Sequence, residues 1–275
     1  MIEYLYLGRV EYEDALRLQE ELVELRREGR VENTLLLLEH PPVLTLGRHA
    51  NRANVLASDE LLAARGVTLH HISRGGDVTY HGPGQLVGYP IFDLRSLQTE
   101  SGVRMGPVDF VRGMEEALIR LCGMYGVKAG RITGLTGVWV GTDGDSGPAR
   151  KIGAIGIHVS RGIVSHGFAF NVRTDLRDFQ LINPCGITDK PVTSLEREPP
   201  AVGLTAPAAL PGLETIAQEV ARLFGEVFRR PVERVESVDA LRKAGEVKFP
   251  AEDRPVEIPR EVERLRGDAE RPVRA

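Results

Sequence analysis

One of the two cysteines in this 275-residue chain stands where its neighbours fix the backbone around a thiol. Cys185 lies in the stretch NPCGI (183–187), between a proline, which sets its own φ, and a glycine, which lets the chain turn sharply. This setting favours presentation of a thiol that could act as a nucleophile once ionised. Cys122 lies in an apolar, helix-like run, where free cysteine is usually a small buried hydrophobe.

Lys151 opens the apolar stretch KIGAIGIHVS (151–160), at the point where a polar loop enters a predicted strand. A lysine in such a place usually extends its ammonium into solvent. Beside a thiol it would instead lower the pKa of that thiol, and the thiolate would favour the charged amine. Cys185 and Lys151 could then form a nucleophile–base pair without histidine. Their separation along the sequence neither supports nor excludes contact.

The segment SRGGDVTYHGPGQLVGYPI (73–91) is dense in glycine. Glycines at this density let a backbone approach a ligand closely, with N–H groups directed at it. The same composition is also typical of two tight turns that flank a strand. The segment matches neither the P-loop pattern nor the dinucleotide-binding fingerprint. His81 is interpreted as a positioning residue.

The histidines do not indicate a metal site. His70 and His71 are sequence neighbours that would point to opposite faces of a strand, and no HExxH motif or cysteine pair accompanies them. The sequence therefore predicts neither a bound metal nor another cofactor.

The elements that must position these residues alternate between helical and strand patterns. Amphipathic periodicity predicts helices over 12–29, 107–126 and 213–230, with a short one over 58–66. Apolar runs bounded by glycine or proline predict strands over 34–40, 43–47, 67–73, 136–141, 151–160 and 162–172. Because several strands are joined by hairpins, we expect a mixed α/β domain and not a doubly wound parallel one.

Composition excludes several classes of protein. The chain is 42% hydrophobic and 27% charged, with a formal net charge of −4. It has no apolar stretch of the roughly 20 residues that a membrane span needs, and no signal-peptide pattern at its start. The charge gives no general attraction to nucleic acid. Two cysteines in such different settings fit a protein of the reducing cytoplasm. Residues 250–275 are highly charged and interrupted by prolines, which predicts a solvated, partly disordered tail.

Three stretches together resemble one family, the lipoyl(octanoyl) transferases. They are RGGDVTYHGPGQLVGYP, KIGAIGIHVSRGIVSHGFAFNV and INPCGI, in that order, and the resemblance covers roughly residues 4–195. It implies an α/β domain with a mixed sheet, related to biotin ligases and lipoate ligases. It also implies a catalytic domain over 1–230, followed by a charged C-terminal extension over 231–275.

The resemblance further implies an activity and its residues. The family moves octanoyl groups from octanoyl-acyl carrier protein to a lysine of lipoyl domains, in the E2 subunits of 2-oxoacid dehydrogenases and the H protein of glycine cleavage. Cys185 would carry the acyl group as a thioester, and Lys151 would be its partner. The substrate-binding segments correspond to the following residues: Arg74, Gly75, Gly76, Asp77, Val78, Thr79, Tyr80, His81, Ala154, Ile155, Gly156, Gly167, Phe168 and Ala169.

Three other functions stay open at this point. An ATP-dependent lipoate or biotin ligase could share the fold, but it activates its acid as an adenylate and needs no cysteine nucleophile. A non-catalytic acyl- or carrier-binding protein would keep the binding slot without the pair Cys185 and Lys151. A cysteine protease or amidase is less well supported, because no histidine stands in a recognisable partner motif.

Overall fold

The computed structural model describes residues 1–142, 148–183, 190–201, 203 and 209–244. Its strands are β1 (Ile2–Arg9), β2 (Asn33–Glu39), β3 (Val43–Leu46), β4 (Thr68–His71), β5 (Val78–His81), β6 (Gln85–Ile91), β7 (Ala129–Ile132), β8 (Leu135–Val140), β9 (Arg150–Ser160), β10 (Ile163–Asn171) and β11 (Val232–Arg234). Its α-helices are α1 (Tyr12–Arg27), α2 (Asp59–Ala64), α3 (Pro107–Met124), α4 (Leu213–Phe228) and α5 (Val238–Ala244). The mixed α/β fold expected from the sequence is confirmed.

Two mixed sheets organise the described part of the chain. The larger has eight strands in the order β11-β1-β2-β6-β10-β9-β8-β7, and the smaller has the order β4-β3-β5. In the larger sheet β1 is parallel to both β2 and β11, whereas the pairs from β2 to β7 are antiparallel. Antiparallel hairpins thus build the half of the sheet that carries Lys151.

Strand β2 shows how the larger sheet is covered on both faces. Side chains alternate along a strand, so Leu35 and Leu37 face one way and Leu36 and Leu38 the other. The first pair packs in the core with α3 and α4, and the second pair packs with α1. The continuous apolar run TLLLL therefore reflects burial on both sides of the sheet.

The helix boundaries follow from local chemistry. Helix α1 has acidic residues in its first turn and Arg26 and Arg27 in its last, which complements the helix dipole. Helix α3 begins with Pro107, and the Asp109 carboxylate accepts a hydrogen bond from the N–H of Gly106 at 2.9 Å. Within the described ranges, no helix is long and apolar enough to cross a membrane.

A buried carboxylate ties α3 to the β7–β8 hairpin. Glu115 is fully buried, and its Oε2 accepts hydrogen bonds from Arg112 Nη1 at 2.6 Å and from Arg131 Nε at 3.0 Å. Its Oε1 accepts from the N–H of Gly137 at 3.0 Å. Strand β8 is thereby held against the helix layer, and its position matters for the site.

Residues beyond 230 contribute to the same packed unit, Met1–Gly245. Strand β11 pairs in parallel with β1, and Leu241 of α5 is fully buried in the core beside α1. Arg242 Nε donates to the Glu21 carboxylate at 2.6 Å. The division at residue 230 stays a prediction. The predicted tail over 250–275 lies outside the described residues.

Candidate active site

A cavity of about 580 Å³ is lined by the glycine-rich segment before β5, by β5 itself and by strands β9 and β10. This volume lies within the range of about 300–1,000 Å³ that is typical of ligand pockets. The lining includes Lys151 and these expected binding residues: Arg74, Gly75, Gly76, Asp77, Val78, Thr79, His81, Ala154, Ile155, Gly156, Gly167, Phe168 and Ala169.

Tyr80 is the expected binding residue that the structure does not bring to the cavity. It lies on the other face of β5, is 1% exposed and packs in the core of the smaller sheet. Its hydroxyl donates to Asp178 Oδ2 at 2.7 Å, and its ring contacts Phe179 edge-on. Along β5, Thr79 and His81 take the cavity face, and Tyr80 takes the opposite face, which it shares with Val78 at the start of the strand.

Close backbone approach explains the glycines on this wall. A Cβ on Gly167 would lie 2.2 Å from the carbonyl oxygen of Gly88, and one on Gly156 would lie 2.9 Å from that of Gly75. The N–H of Gly75 donates to the carbonyl of Ile157 at 3.0 Å, which joins the loop to β9. Because these positions are glycine, the backbones of the loop and of strands β6, β9 and β10 can approach one another closely around the cavity.

His81 is a neutral, internally bonded imidazole. The amide nitrogen of Gln85 donates to Asn171 Oδ1 at 2.9 Å and to the carbonyl of Tyr80 at 3.2 Å, so its oxygen faces His81. His81 Nδ1 therefore donates to Gln85 Oε1 at 2.8 Å. Burial, together with the nearby His40, lowers the pKa of His81 to about 3. This ring does not serve as a proton donor at neutral pH.

Two further histidines are held neutral in the same region. Burial lowers the pKa of His40 to about 4, and its Nδ1 donates to the carbonyl of Val10 at 2.7 Å. Burial and then the positive charge of Arg74 lower the pKa of His166 to about 4. His166 also has φ +55° within β10, a left-handed conformation that is uncommon for a residue other than glycine.

Lys151 lies across the β8–β9 pair from the only tryptophan of the chain. Its Nζ is 4.6 Å from the centroid of the Trp139 ring. That distance is within the roughly 6 Å over which a cation is attracted to an aromatic face. Trp139 is 1% exposed, and Lys151 is half-buried.

Cys185 lies outside the described residues, but the chain on both sides of it is anchored. The N–H of Asn183 donates to the carbonyl of Asn54 at 2.7 Å, and the side chain of Asn54 donates to the Asp77 carboxylate. Beyond Cys185, the N–H of Lys151 donates to the carbonyl of Pro191 at 2.9 Å. Both anchors end on residues that line the cavity.

The other cysteine, Cys122, is buried and unavailable for chemistry. Cys122 is fully buried in α3, within the core that joins α3 and α4 to the sheet. Burial raises the pKa of its thiol, which leaves it protonated at neutral pH. The expectation of a buried, structural Cys122 is confirmed.

Sequence reasoning missed several residues around the cavity: Tyr12, Gln85, Tyr89, Val111, Leu135, Asn171, Phe179 and Val192 also line it. Gln85, Tyr89 and Asn171 lie within the quoted motifs, so their buried polar side chains were candidates for the site. The others come from separate elements and carried no signal. Within the described ranges, no group of three or more His, Cys, Asp or Glu side chains could hold a metal ion.

Comparison with known proteins identifies the class. The lipoyl protein ligase A/B catalytic domain matches residues 11–208. The octanoyltransferase of Acidobacterium capsulatum is 58% identical over 239 residues, which cover 86% of this chain and 94% of that protein. The octanoyltransferase of Koribacter versatilis is 49% identical over 268 residues, or 98% of each chain.

Solved structures agree on the fold. A lipoate-protein ligase A bound with ATP has a TM-score of 0.63 at 16% identity, covering 89% of this chain and 93% of its own. A putative lipoate protein ligase from T. acidophilum with bound lipoic acid has a TM-score of 0.61 at 14% identity, covering 88% and 92%. The chain belongs to the lipoyl protein ligase A/B catalytic-domain family. Within that family it is an acyltransferase of the lipoyl(octanoyl) transferase class.

Proposed function

We propose that this enzyme transfers octanoyl from octanoyl-acyl carrier protein to a lysine of lipoyl domains through a thioester on Cys185. The acceptors are the lipoyl domains of 2-oxoacid dehydrogenase E2 subunits and of the glycine cleavage H protein. The donor and acceptors are inferred from the octanoyltransferases that the chain resembles at 49–58% identity. One observation supports the mechanism: Asn183 and Pro191, which flank Cys185 in the chain, are hydrogen-bonded to Asn54 and to Lys151, and Lys151 lines the cavity.

The first half of the reaction moves the acyl group onto the enzyme. The thiolate of Cys185 attacks the carbonyl carbon of the donor thioester, and the bond from that carbon to the carrier sulfur breaks. The leaving carrier thiolate takes a proton from the Lys151 ammonium. No ATP is needed, because a thioester already stores the activation that amide formation requires.

The second half regenerates the enzyme. The neutral amine of the acceptor lysine attacks the carbonyl of the acyl-Cys185 thioester, a C–N bond forms, and the C–S bond to Cys185 breaks. The proton released by the attacking nitrogen passes to the neutral Lys151 amine. The starting thiolate and ammonium are thereby restored, and the products are the free carrier thiol and an octanoyl amide.

The cavity suits the acyl chain and leaves proton transfer to Lys151. Ala154, Ile155 and Phe168 give an apolar wall, and the glycines leave room beside them. His81 and His166 also line the cavity, but their pKa values of about 3 and about 4 leave them unprotonated at neutral pH. They therefore do not supply a proton to the leaving carrier thiolate.

The second candidate is an ATP-dependent ligase, because a lipoate-protein ligase A bound with ATP shares the fold at a TM-score of 0.63. Incubation with octanoyl-carrier protein, without ATP and without a lipoyl domain, distinguishes the two. We expect the intact mass of the enzyme to rise by one octanoyl group, located on the peptide that contains Cys185. Neutral hydroxylamine, which cleaves thioesters, or added lipoyl domain should remove it.

Two cysteine variants serve as a matched pair. Cys185→Ser should form no labile adduct and should turn over poorly, because a neutral hydroxyl is a weaker nucleophile without a strong base. Cys122→Ala should form the adduct and transfer normally, apart from a modest loss of packing. An adduct on Cys122, or full activity in Cys185→Ser, would contradict the thioester mechanism and favour direct transfer between the two bound substrates.

A further inference from the structure

The contact between Lys151 and Trp139 is built into the sheet. The two residues face each other in the antiparallel β8–β9 register, so the backbone fixes their proximity. Strand β8 is itself fixed by the bond from the N–H of Gly137 to the buried Glu115 carboxylate, at 3.0 Å. The ring centroid of Trp139 lies 4.6 Å from Lys151 Nζ.

Trp139 presents the face of its ring, and not its polar atom, to Lys151. Its Nε1 is buried and has no hydrogen-bond partner within the described ranges. A buried N–H without a partner is unfavourable, so an indole here is stabilised through its ring and not through its polar atom. Indole presents the most strongly cation-attracting face among the aromatic side chains, and the attraction is larger where water is excluded.

We propose that Trp139 is a positioning residue for acyl transfer, which holds the Lys151 amine at the cavity wall and favours its ammonium form. This rests on the role proposed above for Lys151. The attraction acts on the charged form only. It therefore favours the thiolate–ammonium resting state, weakens when Lys151 gives its proton to the leaving carrier thiol, and returns when the acceptor amine gives a proton back.

The single tryptophan of the chain allows a sharp test. Production in a tryptophan auxotroph supplied with mono-, di- or trifluorotryptophan changes Trp139 alone. Fluorine withdraws electron density from the ring face while nearly preserving the shape of the ring, so the cation contact weakens in steps without a cavity or a clash. The fluorine resonance of this one residue, followed by NMR from about pH 7 to 11, reports the titration of the nearby Lys151 amine.

Lys151→Gln provides the matched control. The titration step that belongs to Lys151 should vanish in that variant at every level of fluorination. In the wild-type sequence the midpoint of the step should move to lower pH with each added fluorine. Complete loss of the contact would lower the midpoint of this titration step by about 0.4–1.5 pH units, which corresponds to the free energy of a typical cation–π contact. The pH midpoint for alkylation of Cys185 should move in the opposite direction, because less ammonium remains to favour the thiolate.

The possible outcomes separate this inference from the proposed function. Midpoints that stay the same across the fluorine series would overturn the role of Trp139, even if the enzyme forms the octanoyl-Cys185 adduct normally. A moving Lys151 midpoint with an unchanged Cys185 alkylation profile would show that the contact exists but that Lys151 does not act on Cys185. The proposed pairing of Lys151 with Cys185 would then fail, and with it the positioning role of Trp139 in acyl transfer.

Discussion

Buried histidines should make the stability of this fold fall steeply in mild acid. Burial lowers the pKa of His40 and His166 to about 4 each and that of His81 to about 3, from an ordinary value of 6.5. All three rings are at most 7% exposed. A native protein that keeps them neutral competes with an unfolded chain that readily protonates them.

The sign and the size of the effect follow from this difference. Because each native pKa lies below the unfolded value, the stabilising contribution is complete above about pH 6.5 and is lost as pH falls towards the native pKa. Between pH 7.5 and pH 5.5 each histidine should remove about 1.3 kcal/mol, and the three together about 4 kcal/mol. Burial raises the pKa of Glu3, so proton uptake there opposes the loss, whereas burial and the charge of Arg48 lower the pKa of His158, which adds to it. Total stabilities are about 5–15 kcal/mol, so the loss would be large.

Urea unfolding at pH 7.5 and at pH 5.5 measures the difference directly. His40→Gln and His81→Gln should each reduce the pH dependence by about a third, whatever each change does to absolute stability. His71→Gln is the control, because His71 is exposed at the end of β4. Free energies of unfolding that agree within about 1 kcal/mol at the two pH values would refute the assignment of neutral buried rings.

Three other changes test separate parts of the molecule. Lys151→Arg should lower octanoyl transfer by about 10²- to 10⁴-fold in a single-turnover assay, because arginine keeps its charge but cannot release a proton; near-normal turnover would reduce Lys151 to a fixed charge. Truncation after Phe249 should leave transfer and Tm nearly unchanged, whereas truncation after Pro231 removes β11 and a buried leucine and should cost about 2–5 kcal/mol in stability. Glu115→Ala should lower the free energy of unfolding by about 2 kcal/mol, because a buried acceptor of charged hydrogen bonds is lost.

The helices and the hairpin strands were predictable because their signals are local. Helix α3 was expected over 107–126 and occupies Pro107–Met124, since its apolar face, its first proline and its last glycine agree. Strands β9 and β10 were likewise expected from apolar runs separated by glycine. In such segments the local sequence alone is enough to predict the helix or strand.

Two of the strands that were not predicted, β1 and β11, depend on distant partners. Strand β1 is an interior strand of the larger sheet, but its sequence IEYLYLGR is not among the predicted strands. Strand β11 has three residues, too few for a pattern, and forms because β1 offers it an edge. Pairing of this kind is a property of the assembled sheet.

The same limit applies to the site. Of the binding residues that the motifs predicted, all but Tyr80 line the cavity, but several other lining residues were not predicted. The sequence could not reveal that Trp139 faces Lys151, because that contact depends on the β8–β9 register. Nor could it reveal that Gln85 fixes the orientation and the protonated nitrogen of His81, which requires the hydrogen bonds of both side chains.

The neutral imidazoles that line the cavity, His81 and His166, suit a reaction that binds a saturated acyl chain and transfers one proton. Charged histidines beside a saturated chain would lose hydration whenever the chain enters, whereas neutral rings lose little. Arg74 also lines the cavity, but a guanidinium does not release a proton in a protein. Burial raises the pKa of Tyr12 and Tyr89, which removes their hydroxyls from acid–base chemistry near neutral pH. Lys151 is therefore the lining residue that we expect to carry the proton, and its place beside a buried ring lets the sheet set both its position and its charge.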